Sequence, residues 1–427
     1  MNKTNKEMEF SKYIFPKIKT KKWKKIRLID TTNKKIKWSF TGGPFGSNLQ
    51  SSDYTNDGIR VIQLQNIGDG VFNNDYKIYT SEEKANELLS CNIYPNEILI
   101  SKMGDPVGRA CIVPEQEKRY VMCSDGIRIV VDEDKYSKDY IYYAINSEAF
   151  RLKIFKNSTG STRRRIGLDI LKNLEMLILK EKEEQEKIAN CLKSIDDLIL
   201  QEEDKLEKLK SHKKGLLQKL FPKDNKSMPE LRFPQYKEQW LLEKLIKKVI
   251  YKNGKAHEDS IVINGRYIVV NSKFISTNGL IKKYSNSPNL LAKKGDILVV
   301  LSDVPNGKAI GKCFMVDKDE TYTVNQRVCC LTPVNIDTKY LFFILNRNNY
   351  FLSFDDGIGQ TNLKKEDVLA FSFYAPQNSK EQQKIANCIS SIDDLISAQT
   401  RKIELLKQHK KGLLQGLFPS IKEVEND

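Results

Sequence analysis

The chain has 427 residues, more than one ordinary domain holds, which predicts two or three. Apolar residues make up 40% of it, enough to build packed cores and to argue against a wholly disordered chain. Lys and Arg outnumber Asp and Glu by 71 to 55, a formal charge of +16 that favours a polyanionic partner, nucleic acid being the usual one.

Residues 1–14 read as a basic tail without the apolar run of an export signal. The densest apolar stretches, such as Ile297–Leu301, are far too short to span a bilayer, so no membrane contact and a cytoplasmic location are expected. Eight scattered cysteines include no Cys-x-x-Cys pair, and three histidines do not complete a metal cluster; buried, inert thiols are the expectation. Residues 15–179 form a first module of α+β character, with strands at Gly58–Ile67, Ile98–Ser101 and Ile127–Val131 and helical patches at Glu82–Leu89 and Lys138–Asn146.

Residues 180–222 form a long helix with a heptad seam: Ile188, Leu192, Ile195, Ile199, Leu206, Leu209, Leu216 and Leu220, with Glu202 and Lys213 in the two missing slots. Residues 223–228 read as a linker. A second module follows at 229–376, with strands at Tyr267–Val270, Ile297–Leu301 and Val328–Leu331. A second long helix at 377–419 carries Ile385, Ile389, Ile392, Ile396, Ile403, Leu406, Leu413 and Leu417, with Gln399 and Lys410 at the breaks, and residues 420–427 form a tail. Ser379 and Gln382 have the spacing of a capping box at its start, and Pro222 and Pro419 mark the two helix stops.

The two helices are copies. Residues 184–222 recur as 381–419 without a gap, at roughly two thirds identity. Fainter matches flank them: Phe15-Pro16 and Trp23 with Phe233-Pro234 and Trp240, and Pro106, Gly108, Arg109 and Ala110 with Pro305, Gly307, Lys308 and Ala309. Two equal helices in one chain predict antiparallel pairing and a pseudo-twofold repeat, which suits the near-symmetric backbone of a duplex. The apolar ends, Leu216-Leu217 with Leu220-Phe221 and the matching residues through Phe418, are expected to face another subunit.

Catalytic patterns are missing. There is no Asn/Asp-Pro-Pro-Tyr/Phe loop and no Gly-rich cofactor loop of a methyltransferase. The turn Gly42–Ser47 lacks a Gly-Lys-Ser/Thr ending, and reads as a tight turn or as a direct phosphate contact that includes Ser47. Asp125 with Glu133-Asp134-Lys135 fits a metal-dependent nuclease only loosely, and the second module has no equivalent. What both modules do contain is amide and basic side chains at matched places. Arg60, Gln63, Gln65 and Asn66 lie on or after the first strand, as do Asn271 and Lys273 in the second module. Lys102 and Arg109 border a glycine turn, matched by Ser302 and Lys308; Thr162, Arg163, Arg164 and Arg165 are matched by Thr361, Asn362, Lys364 and Lys365. Arg reads guanine edges, Asn and Gln read adenine edges, and Lys grips phosphate. No metal ligand and no catalytic residue is assigned. A coiled-coil scaffold with incidental basic charge is the alternative.

The order Pro-Phe-Gly-Ser, a Gly-Ile-Arg-Val-Ile strand, and then twice Gln-x-Lys-Ile-Ala, Ile-Asp-Asp-Leu-Ile and Lys-Lys-Gly-Leu-Leu-Gln-x-Leu-Phe-Pro resembles the specificity subunits of type I restriction–modification enzymes. The resemblance covers nearly the whole chain after the tail. It implies two target-recognition domains joined by long antiparallel helices, each domain reading half of a split, asymmetric site in double-stranded DNA, with the helices as a ruler. It implies two modification subunits carrying S-adenosylmethionine chemistry and restriction subunits using ATP and Mg, with no cofactor bound by this chain. The second module departs from the first in lacking the Pro-Phe-Gly-Ser turn.

Overall fold

The computed structural model describes residues 22–223, 226–304, 307 and 309–420. The basic tail, Phe15-Pro16, Pro305, Lys308 and residues 421–427 of the C-terminal tail lie outside the described residues. The chain divides into two units, residues 1–203 with 401–427 and residues 204–400. Each therefore holds one module, the first half of the helix that follows that module, and the second half of the other helix.

In the first unit, Trp23–Arg27 pairs antiparallel with Glu175–Leu179, the strand that leads into the helix. A four-stranded antiparallel sheet runs in the order Phe40–Gly42, Gly126–Ile129, Ile98–Ser101, Ala110–Ile112. Its central strand Ile98–Ser101 is buried throughout because both faces are covered: Ile98 and Ile100 enter the main core, while Leu99 faces a second cluster with Ile62, Cys111 and Tyr120. That cluster is closed by a mixed sheet, in which Ile59–Ile62 lies parallel to Tyr120–Met122.

The second unit repeats this plan. Leu241–Lys244 pairs with Ser372–Ala375, and the antiparallel sheet runs Val249–Asn253, Val328–Pro333, Ile297–Val300, Cys313–Met315. Tyr267–Val270 lies parallel to Tyr322–Val324, as its counterparts do. The first module differs by one added strand, Asn92–Ile93, beside Tyr120–Met122.

The long helices are Lys182–Leu220 and Ser379–Leu417, of 39 residues each. Gln382 does not form a capping box with Ser379, because its amide is used elsewhere: it accepts the Asp337 N–H at 2.8 Å and donates to the Pro376 carbonyl at 2.7 Å. Gln185 does the same in the first unit, between Ser137 N–H and the Leu179 carbonyl. Both amides thus tie a helix start to its own module. Asn378 stands where the cap is needed, and its side chain accepts the Lys380 N–H at 3.0 Å.

Within each unit the two helix halves run antiparallel. Asp196 meets Lys410 at 2.5 Å, Glu202 meets Lys402 at 2.6 Å and Glu203 meets Lys407 at 2.6 Å in the first unit; Lys213 meets Asp393 at 2.5 Å in the second. The seam residues Ile188, Leu192, Ile199, Leu220, Ile385, Ile389, Ile392, Ile403, Leu413 and Leu417 are buried, and Ile195, Leu206, Leu209, Leu216, Ile396 and Leu406 half-buried. Apolar burial along the seam drives pairing, and the polar residues in it fix register.

The apolar helix ends pack into the modules of their own units, Leu216, Leu217, Phe221 and Leu414 staying half-buried. Leu413, Leu417 and Phe418 complete the first core, with the Phe418 ring 5.0 Å from Tyr140. Leu220 lies in the second core and Phe221 packs 5.4 Å from Tyr340. Each module offers a buried tyrosine to the end of the helix that arrives from the other half of the sequence.

Candidate nucleic-acid interface

In each module several strand ends converge on one turn. In the first it is Cys123–Gly126, after the parallel strand Tyr120–Met122. Cys123 N–H donates to the Ile62 carbonyl, next to Gln63; Gly43 N–H donates to Gly126; Lys102 N–H donates to Asp125. A Cβ on Gly43 would lie 1.7 Å from the Cys123 carbonyl oxygen, so only glycine allows this approach. A two-residue ribbon, Met103–Gly104 with Arg164–Arg165, completes the face, and Arg165 Nη2 donates to the Asp125 carboxylate at 2.8 Å.

The second module builds the same junction with other side chains. Asn325 N–H donates to Val270, next to Asn271; Gly254 N–H donates to Val328; Leu301 N–H donates to Arg327. A Cβ on Gly254 would lie 2.0 Å from the Asn325 carbonyl oxygen, and the ribbon is Ser302–Asp303 with Thr361–Asn362. The structural counterpart of the glycine turn is thus present although its Pro-Phe-Gly-Ser sequence is absent.

The predicted residues sort by this geometry. Gln63, Lys102, Arg164 and Arg165 gather around the first junction, with Thr162 and Arg163 leading into its ribbon and Ser47 on the loop that leaves Gly43; Asn271, Lys273, Ser302, Thr361 and Asn362 gather around the second. Arg163 is exposed and has no hydrogen-bond or ion-pair partner among the described residues. Arg164 lies 3.9 Å over the Phe155 ring, and Arg165 is steered by Asp125 while half its side chain stays in solvent. Asn271 is in part committed to capping, since its side chain accepts the Phe274 N–H at 2.9 Å.

Others are placed differently. Arg60 is 2% exposed and donates to Asn74 Oδ1 at 2.5 Å and to the Asn74 and Tyr76 carbonyls, so it is a core residue and not a DNA contact. Asn66 is fully buried, accepting the Gln63 N–H and donating to the Asn73 and Tyr76 carbonyls. The sequence suggests the surface for both: for Arg60 because a strand reads the same whichever face is inward, and for Asn66 because the strand stops at Ile62 and a 3-10 turn, Leu64–Asn66, carries it inside. Ser302 and Thr361 are also largely buried: Ser302 Oγ accepts from Gln360, and Thr361 Oγ1 donates to Asp355. They shape the ribbon, leaving exposed Asn362 to act. Gln65 is exposed beyond the strand, and Arg109 is half-buried behind Gly104. Lys364 and Lys365 are exposed at the next helix start, Lys365 lying 5.7 Å from the Tyr251 ring.

Residues that the sequence did not single out join the second junction. A cleft of about 500 Å³ is lined by Lys283, Asn325 and Arg327 together with Asn271, Lys273 and His257. Arg327 is in the turn equivalent to Asp125, and the repeat of the parallel strand is the signal that points to it. The acid that loosely suggests a nuclease has another role: Asp125 orients Arg165, and Asp132 pairs with Lys135 at 2.8 Å. Burial pushes the Cys123 thiol up to about 11, so it is protonated and inert at neutral pH. No helix among the described residues is long and apolar enough to cross a membrane.

Comparison with known proteins gives the face its context. A family model for the type I restriction modification DNA specificity domain matches twice, over residues 65–211 and 242–408. The type I restriction enzyme MjaVIII specificity subunit of Methanocaldococcus jannaschii is 25% identical over 382 residues, 86% of either chain. The crystal structure of the type I restriction–modification S subunit from M. genitalium shares the fold over 93% of this chain and 96% of its own, with a TM-score of 0.57 and 17% identity. A chain from a structural study of assembly and conformational transition in the type I R-M system aligns over 92% and 96%, with a TM-score of 0.58 and 12% identity. With both modules matched, the chain belongs to the type I restriction–modification DNA specificity family.

Proposed function

We propose that each unit reads one half of a split, asymmetric target in double-stranded DNA, and that the long helices set the unread spacer. The observation that carries this reading is the doubled junction: the same strand ends meet around one turn in each module, yet present different side chains. Arg163–Arg165 and Lys102 arm one copy; Asn271, Lys283, Arg327 and Asn362 arm the other. One scaffold with two sets of hydrogen-bonding groups fits two different half-sequences. A scaffold protein has no need of such a difference. The reaction chemistry belongs to partners: two modification subunits using S-adenosylmethionine, and restriction subunits using ATP and Mg.

Replacing residues 228–380 with the matching module of a relative is the direct test. Sequencing of methylated DNA from cells carrying the exchanged chain is expected to show one half of the motif changed and the other kept. A change in both halves would show that the modules do not read independently.

The triple variant Arg163→Ala/Arg164→Ala/Arg165→Ala is expected to weaken DNA binding and to lower the salt slope by about one unit for each phosphate no longer held. If one arginine reads a guanine, discrimination at that base falls by about 1–3 kcal/mol. Titrations at several salt concentrations separate the two, and unchanged affinity and preference would return the arginines to the solvated surface.

A further inference from the structure

We infer that Phe45 is an apolar wedge that enters the base stack in the half-site read by the first module and unstacks one step there; this rests on the DNA-reading function proposed above. The ring is 83% exposed. The loop around it is pinned, so this exposure is built in. Pro44 and Leu49 are buried, Gly43 N–H is bonded to Gly126, Asn48 N–H donates to the Phe45 carbonyl at 2.9 Å, and Gln50 Nε2 donates to the Ser47 carbonyl at 3.1 Å.

Gly46, next to the ring, has no internal reason to be glycine. A Cβ there meets nothing within 4 Å, and its φ lies outside the left-handed region. A bare backbone beside an exposed ring suits close approach by a body outside the chain. The surrounding charge indicates which body. The loop starts at Gly43, packed on the turn Cys123–Gly126, where Lys102 and Arg165 also converge. Those cations draw in a phosphate backbone, and a ring pushed between base pairs is how an apolar side chain enters a duplex. The second module has no such ring: Gly254 is followed by Lys255-Ala256-His257, and His257 is buried against Thr323 Oγ1 at 2.8 Å. The distortion therefore falls in one half-site only.

The test uses the full chain assembled with its modification subunits, on duplexes carrying its own methylation motif with 2-aminopurine at successive positions. Beyond the base that each modification subunit extrudes, the wild type is expected to raise fluorescence about severalfold at one further step of one half-site, and at no further step in the other. Phe45→Ala is expected to abolish that rise and to weaken binding about tenfold, whereas Phe45→Trp retains both. The wedge is overturned by unchanged affinity and fluorescence in Phe45→Ala, or by no further rise beyond the extruded bases when the wild type is bound. It is equally overturned if Phe45→Ala loses its modification subunits while the fluorescence of bound complexes is unchanged, which would make the ring a protein contact. A wild type that does not prefer its motif to a scrambled duplex would instead refute the DNA-reading function itself.

Discussion

Arg128→Met is expected to destabilise the first module by about 3–5 kcal/mol, because it strands a carboxylate in the interior. Arg128 holds Glu97 with two charge-assisted bonds, Nε to Oε2 at 2.7 Å and Nη2 to Oε1 at 2.6 Å, between side chains only 5% and 13% exposed. The pair bridges two strands of the antiparallel sheet, on the side of Leu99. The double variant Arg128→Met/Glu97→Leu removes both charges and is expected to recover most of the loss. Denaturant titrations read this as a lowered midpoint at unchanged slope for the single variant and a restored one for the double. A double variant no more stable than the single would locate the loss in packing. The second module shows that the pairing is optional: Asp296 takes the place of Glu97 and is satisfied by neutral donors, Thr332 Oγ1 at 2.7 Å, Cys330 Sγ at 3.2 Å and Lys293 N–H at 2.8 Å.

The largest change in recognition is expected from the helices. Inserting seven residues after Glu203 and seven after Thr400 adds one heptad to each where the two units divide, leaving the ion pairs within each unit intact. Each helix lengthens by roughly 10 Å at 1.5 Å per residue, which equals about three base pairs of axial rise. Three added base pairs also rotate one half-site by about 100° against the other, so twisting must be shared between protein and DNA. Both half-sequences are expected to persist, the spacer to grow by about one to three base pairs, and activity to fall. A four-residue insertion in one helix alone slides one stripe against its partner and is expected to do worse. Methylated motifs from cells expressing each variant give the answer, and an active heptad variant with the original spacer would show that the distance is set elsewhere.

The helices were legible nearly to the residue, since a duplicated heptad pattern bounded by Pro222 and Pro419 leaves little choice. Strands such as Ile98–Ser101 and Tyr267–Val270 were equally plain, because buried β-branched runs between turn residues have few other uses. The candidate interface was legible only in part. Matched positions in the repeat pointed to Lys102, Arg163–Arg165, Asn271 and Asn362, whose elements the fold does bring together. Side-chain direction on the short strand was not legible for Arg60, nor was the 3-10 turn that carries Asn66 inward, which is why both read as surface residues when their hydrogen bonds lie inside. Arg327 and Lys283 escaped because their neighbours in space, not in sequence, make them a cleft.

The division of the helices carries a consequence for the order of synthesis. The second unit is one unbroken stretch, residues 204–400, and closes as soon as its own chain has emerged. The first unit cannot: Leu413, Leu417 and Phe418, which share its core with Tyr140, Ile188 and Leu192, emerge only after the whole second unit. From translation of its final strand until Phe418 has emerged, the first module carries an uncovered apolar face, the kind of surface that recruits chaperones and invites aggregation. Closing it late adds little to the entropic cost, because that cost grows only logarithmically with the length of the loop between the joined ends. Late closure thus makes the first module depend on translation past Phe418: a chain ended before Leu413 by a broken message or a frameshift leaves that module unfinished, with the apolar surface that chaperones and proteases act on.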